Sequence, residues 1–364
     1  MRVQERVREA AAQRGVRYIV PVTRSGARDV VAAVYRQIER DYGALVPPFS
    51  LHSPAPSVLR AGWSIVRETL VAEGVVSRQL KEAVATAVSR VNTCPYCVDA
   101  HATTLYALNG GGLADAVVAA QADAIVDPEE RAIIRWVAQT HRHGTEAVRA
   151  PPIPAVAAAE LIGTAVAYHY LNRMVNVFLD ETPLPIRAPA LRKAARRLIG
   201  PLLRSLVTRS VAAGSSLALL PAADLPADFQ WAAAHPAVAG AFAGAAALIE
   251  EAGQAVLAED VRTLVTAYLA QWDGQEPGLS RRWLADAVQS LPAHQQPAAR
   301  LTLLVAVAAY QVDADTIMAF RASQPDDAAL VTAAAWAAFA AARQIGGRLA
   351  VGRGDRSGGV AHSL

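Results

Sequence analysis

Apolar positions in the first half of the chain recur, in order, in the second half. At an offset of 181 residues Leu80-Lys81 meets Val261-Arg262, and Val84 and Val88 meet Val265 and Leu269. At 169, Pro128 and Arg131 meet Pro297 and Arg300; at 168, Thr164-Ala165 and Tyr168 meet Thr332-Ala333 and Trp336. The offset only falls along the chain, as loop deletions require of a degenerate duplication. The repeated pattern has a helical period: Leu80, Val84, Ala87, Val88 and Val91 share one face. It predicts an all-α protein of two tandem helical units, an internal pseudo-dimer whose second unit is degenerate.

Local signals divide the 364 residues. Residues 1–52 read as an N-terminal extension, with a short strand or extended arm at Val16–Val22 and a helix at Asp29–Tyr42 ended by Pro47-Pro48. Residues 53–185 read as the first unit. One of its helices opens at Pro95 and stops at Asn109-Gly110. Another is announced by Asp127-Pro128-Glu129-Glu130, a cap, a first-turn proline and acids at the positive end of the helix dipole. A long helix over about Pro154–Leu179 precedes Pro183 and Pro185. Residues 186–232 read as a basic helical linker, where Arg192, Lys193, Arg196, Arg197, Arg204 and Arg209 alternate with leucines. Its arginines are expected on a solvated face, or else facing a membrane surface or an acidic partner. Residues 233–349 form the second unit, and 350–364 a Gly- and Ser-rich tail expected to be disordered.

Composition narrows the function classes. Hydrophobic residues make up 53% and aromatics only 6%, and an alanine-dominated apolar set favours helix over sheet. The net charge of +3 is spread among acids, which gives no footprint for nucleic acid. The N-terminal Met1-Arg2-Val3-Gln4-Glu5-Arg6 lacks a signal-peptide core, and no apolar run reaches the roughly 18–20 residues of a membrane span. A cytoplasmic protein without a membrane span is expected. Only two cysteines occur, three apart, and in a reducing compartment such a pair is redox-active or metal-binding before it is a structural staple. No metal site is expected, because His141, His143 and His169 show no ligand-like spacing to the cysteines.

The chemistry concentrates in Glu82-(eleven residues)-Cys94-Pro95-Tyr96-Cys97-Val98-Asp99-Ala100-His101. Pro95 suits the first helical position, which puts Cys94 at the N-cap and Cys97 in the first turn, where the helix dipole favours a thiolate. His101 lies four residues after Cys97 on the same face. A turn at Asn92-Thr93 would fold the preceding helix back and bring Glu82 to His101. Carboxylate, imidazole and thiol in sequence make a proton relay. A thiolate splits a peroxide O–O bond to give a sulfenic acid, and a second thiol one turn away condenses with it to a disulfide. Cys97, nearer His101, is assigned attack; Cys94, at what should be an exposed helix start, is assigned resolution and contact with a reductant.

Glu-x11-Cys-x2-Cys-x3-His resembles the active-site pattern of the alkylhydroperoxidase D and carboxymuconolactone decarboxylase superfamily, in its redox-active Cys-x-x-Cys branch. The resemblance implies an all-α fold, assembly into homo-oligomers, and reduction of small peroxides by Glu82, Cys94, Cys97 and His101. It also implies no bound cofactor but an external thiol reductant, a lipoyl-bearing or thioredoxin-like protein. Some members carry a histidine between the cysteines where this chain has Tyr96. The decarboxylase branch lacks the cysteine pair, which argues against lactone decarboxylation.

In the aligned second copy Glu82, Cys94, Cys97 and His101 become Thr263, Gln275, Gly278 and Arg282, so the four are lost together. A second polar set, His169, Asn172, Arg173 and Asn176, follows helical spacing and is expected with Tyr96 to line a substrate pocket beside the thiols. The leading function is a thiol-dependent peroxidase acting on alkyl hydroperoxides or hydrogen peroxide. The alternatives are a redox-sensing or assembly protein using the same disulfide without multiple turnover, and a non-redox enzyme on the same scaffold.

Overall fold

The computed structural model describes residues 11–145, 151–183 and 188–354. Among them regular structure is helical, and the one β-type pairing is an isolated antiparallel bridge between Val16 and Leu179. The strand or extended arm expected at Val16–Val22 is corrected: the segment bends at Tyr18-Ile19, with Tyr18 at φ 67°, and is pinned by Arg17 N–H donating to the Phe178 carbonyl at 2.8 Å and Val22 N–H to Ser53 Oγ at 2.8 Å. Pro185 and the tail from residue 355 lie outside the described residues.

The first half comprises α1 (Asp29–Asp41), α2 (Pro47–Ser50), α3 (Pro56–Val66, running into a π-turn at Arg67–Val71), α4 (Arg78–Val91), α5 (Pro95–Ala107), α6 (Gly111–Val118), α7 (Pro128–Val137) and α8 (Ala158–Phe178). Helix α9 (Pro189–Val207) follows. The second half is α10 (Pro236–Val256), α11 (Glu259–Gln271), α12 (Arg282–Val288), α13 (Gln296–Ala308), α14 (Ala314–Arg321) and α15 (Asp327–Gly354). Capping explains several boundaries. Ser77 Oγ accepts from Leu80 N–H at 3.2 Å to start α4, and Asp127 accepts from Glu129 and Glu130 N–H at 2.8 and 2.9 Å to start α7. Asn109, at φ 65°, takes the left-handed position that ends α5.

The duplication has a structural counterpart. Helices α3, α4, α7 and α8 correspond in order to α10, α11, α13 and α15. Counterparts pack on each other, α3 on α10 and α8 on α15, while α8 also meets α10 and α15 meets α3. That reciprocity is the signature of a two-fold interface, here within one chain. Helix α8 forms the centre: every residue but Asn176 is buried. Its mate α15 is long and apolar enough to cross a membrane over Asp327–Leu349, yet 78% of its most apolar window lies inside the protein, as expected of a core helix.

Helix α9 is not a free inter-unit connector. It lies along α5, and Gly200 permits the approach: a Cβ there would sit 2.6 Å from Tyr106 Cβ and 3.0 Å from the Thr103 carbonyl oxygen. The solvated basic face expected of this stretch holds for Lys193, Arg197 and Arg204, which are exposed, and is corrected for Arg192 and Arg196, which turn inward. Arg192 and Arg196 lie 3.5 and 3.9 Å from the buried Asp99, Lys193 and Arg197 lie 2.8 and 3.3 Å from Asp115, and Arg204 donates to Asn109 at 2.7 Å. The acidic partner is the chain's own α5–α6 segment.

Candidate active site

Helices α4 and α5 form a tight antiparallel pair joined at Asn92-Thr93, where Thr93 sits at φ 50°. The reversal places Glu82 of α4 against His101 of α5, with Glu82 Oε2 and His101 Nδ1 2.6 Å apart. The other carboxylate oxygen accepts from Arg78 Nε at 2.8 Å, one turn back on α4. Glu82 is fully buried. Burial pushes its pKa up, but the charges of Arg78 and His101 outweigh burial and hold it below the ordinary glutamate value. An ionised Glu82 requires that Nδ1 carry the imidazole proton, which leaves Nε2 as the exchangeable nitrogen. The Tyr168 ring stands edge-on to His101 with centroids 4.6 Å apart and fixes its plane.

Cys94 is the N-cap of α5, Pro95 its first residue, and Cys97 lies in the first turn. Both cysteines are free thiols and buried, at 0% and 2% exposure. Their side chains lie within hydrogen-bonding reach of each other, and Asn172 reaches Cys94. Burial above all, then the neighbouring Cys97, pushes the Cys94 thiol up, so Cys94 is held as the neutral thiol. The expectation that Cys94 stands at an exposed helix start is therefore corrected. Cys94 is fully buried, and α8 reaches it through Asn172.

Cys97 and His101 open into one cavity of about 250 Å³. Its walls are largely apolar, with Tyr42 and Phe49 from the N-terminal extension, Tyr96 from α5, Leu171 from α8, and Leu203 and Leu206 from α9; Arg78 of α4 lines it as well. Burial raises the phenol pKa of Tyr96 and Tyr168, so both stay protonated.

The comparisons bear on this geometry. The model of the Carboxymuconolactone decarboxylase family matches residues 58–139, which span α3 to α7 and include the whole motif. An alkyl hydroperoxide reductase of Mycobacterium tuberculosis is 39% identical over 331 residues, covering 91% of this chain and 94% of that protein. The chain belongs to the alkylhydroperoxidase D and carboxymuconolactone decarboxylase superfamily. A solved structure, the alkylhydroperoxidase core of an uncharacterized peroxidase-related protein from Ralstonia eutropha JMP134, aligns at 21% identity. It covers 50% of this chain and 98% of its own, with a TM-score of 0.38.

In this superfamily member the four motif residues and Tyr96 are gathered at one place, and of the second polar set only Asn172 reaches them, at Cys94. His169, Asn172, Arg173 and Asn176 do not line the thiol cavity; that expectation is corrected. They surround Asn92 instead. Asn92 Nδ2 donates to Asn172 Oδ1 at 3.0 Å, Asn176 Nδ2 donates to the Asn92 carbonyl at 2.9 Å, and His169 Nδ1 lies 3.2 Å from Asn92 Oδ1. The physical reason is the turn itself: a left-handed, non-glycine reversal between α4 and α5 needs its polar groups pinned. Sequence reasoning missed Arg78, although its spacing of four residues from Glu82 was a readable signal. It also missed the walls supplied by α9 and the N-terminal extension, for which no local signal exists. In the second unit the residues aligned with Cys94 and Cys97 fall in a loop before α12, so the thiol-bearing helix turn is absent as well as its thiols.

Proposed function

We propose that the chain is a thiol-dependent peroxidase that reduces organic hydroperoxides through Cys97 and Cys94, with Glu82 and His101 handling the proton. The observation that carries this reading is that Cys97 and His101 share one apolar cavity, and Glu82 lies 2.6 Å from the far side of His101. The kinship with an alkyl hydroperoxide reductase supports the same reaction class.

His101 Nε2 takes the Cys97 proton, and the ionised Glu82 stabilises the resulting imidazolium. The Cys97 thiolate attacks the terminal peroxide oxygen; the S–O bond forms as the O–O bond breaks, and the alkoxide leaves with the proton from His101. Cys97 is now a sulfenic acid. The Cys94 sulfur displaces hydroxide from it, the disulfide forms, and the Cys94 proton leaves with the hydroxide as water. An external dithiol, carried by a lipoyl-bearing or thioredoxin-like protein, returns the pair to thiols. The cycle uses no bound cofactor. Apolar walls favour an organic hydroperoxide over hydrogen peroxide, because they desolvate an alkyl group at no polar cost.

The test is peroxide consumption with a dithiol reductant. Cys97→Ser should abolish turnover. Cys94→Ser should lose turnover but accumulate a sulfenic acid that dimedone traps. Equal consumption by wild type and Cys97→Ser would refute the proposal.

A further inference from the structure

A second cavity, of about 440 Å³, lies at the seam between the two units, behind the turn that starts α5. Arg173 of α8 lines it and is only 5% exposed. Its Nε donates to the Ala306 carbonyl of α13 at 2.8 Å, and its Nη1 to the His169 carbonyl at 2.6 Å and to Asn92 Oδ1 at 3.4 Å. Among the described residues Nη2 has no hydrogen-bond partner, and no carboxylate pairs with this guanidinium. The face of Trp272, from the second unit, lies 6.0 Å away.

Two further guanidiniums, Arg90 and Arg142, line the same cavity from exposed positions. Neither side chain has a hydrogen bond or ion pair among the described residues. One carboxylate opposes the three, Glu276, and it is engaged by Thr93 Oγ1 at 2.7 Å and Tyr310 OH at 3.2 Å. His141 adds no charge at neutral pH: burial first, then Arg142 and Arg173, push it down to about 4. The cavity is structurally held. Gly274, at φ 89°, lies so close to the first unit that a Cβ would collide with the His141 carbonyl oxygen, and His143 N–H donates to the Asp273 carbonyl at 2.8 Å.

A buried guanidinium with no carboxylate partner is costly, and carbonyl acceptors offset only part of that cost. We propose that this cavity is a binding site for a small oxyanion, a carboxylate or phosphate group, held by Arg173 at its base and by Arg90 and Arg142 at its rim. The guanidinium forks match the paired oxygens of either group. The site is separate from the thiol cavity and does not depend on the peroxidase reading. It does touch the same turn: Arg173 holds Asn92, Asn92 holds Asn172, and Asn172 reaches Cys94.

The test is calorimetric titration of the full chain with sodium phosphate and, separately, sodium acetate, with ionic strength kept constant by chloride. Saturable binding of at least one anion is expected, and the tighter of the two identifies the group. The Arg90→Gln/Arg142→Gln double variant, which disturbs no side-chain hydrogen bond or ion pair among the described residues, should bind about tenfold or more weakly, the loss expected for removed charge-assisted hydrogen bonds. Arg173→Lys should weaken binding as well; if that variant does not fold, the rim pair decides the matter. Absence of saturable binding to wild type, or an affinity unchanged in the rim variant, would overturn the proposal.

Discussion

Glu82 and His101 stand 2.6 Å apart across 19 residues of chain, and the contact exists because Thr93 reverses the backbone between their helices. The pair is buried, and Arg78 engages the other oxygen of the Glu82 carboxylate at 2.8 Å.

Glu82→Gln keeps a hydrogen-bonding side chain but removes the charge that supports an imidazolium. Peroxide turnover should fall by about 10²-fold, the ordinary contribution of a positioned acid–base group. Steady-state kinetics across pH checks this, and a variant with unchanged kcat and pH profile would remove Glu82 from the relay.

Acid should destabilise the protein before its carboxylates titrate. Burial holds His52 and His141 down to about 4, against an ordinary value of 6.5. Between these values the unfolded chain binds more protons than the folded one, so stability falls as pH drops from 6.5 towards 4. Glu82, held below its ordinary 4.5, extends the loss at lower pH, because its contribution disappears as pH falls through the folded value. Urea unfolding measured from pH 7 to pH 4 should show this slope, and His52→Gln should flatten it. A slope unaffected by His52→Gln would contradict the assignment to His52.

Lys81 and Glu160 form a buried pair at 2.5 Å, and Glu160 also accepts from Val75 N–H at 2.8 Å. Glu160→Ala leaves a buried ammonium without its counter-charge and should cost ~3–5 kcal/mol. Adding Lys81→Met should recover part of that loss in urea denaturation. Additive losses in the double variant would show that the two residues do not act as a pair.

Gly200→Val should lift α9 from α5, since its new side chain meets Tyr106 and the Thr103 carbonyl. A stability cost of about 1–3 kcal/mol is expected from the overpacking. Alkylation of Cys97 by iodoacetamide should accelerate, because α9 supplies Leu203 and Leu206 to the cavity wall. An unchanged alkylation rate in a variant whose Tm has dropped would show that α9 does not gate the thiol.

Much of the candidate site was legible because it is local. Pro95 starts a helix, so Cys94 caps it and Cys97 and His101 fall on one face; only Glu82 required a chain reversal, which Asn92-Thr93 signalled. The duplication was legible because helix packing preserves apolar periodicity after the chemistry is lost. The assignment of His169 and Arg173 to a pocket beside the thiols failed because helical spacing gives a shared face without saying what that face meets. Here it meets the Asn92 turn and the second unit.

The amino-acid sequence by itself determined the helical class, the paired units, and the order of carboxylate, thiols and imidazole along two adjacent helices. The helical class and the order of the motif follow from periodicity, capping and spacing within about twenty residues; the paired units follow from apolar positions that recur at offsets of 168 to 181. Tertiary structure decided what encloses the thiols. Burial of Cys94, the closing of the cavity by α9 through Asp99 and Asp115, and the meeting of Arg173 with Arg90 and Arg142 all depend on segments far apart in the chain. An amphipathic pattern says only that a face is covered; long-range packing and charge pairing select what covers it.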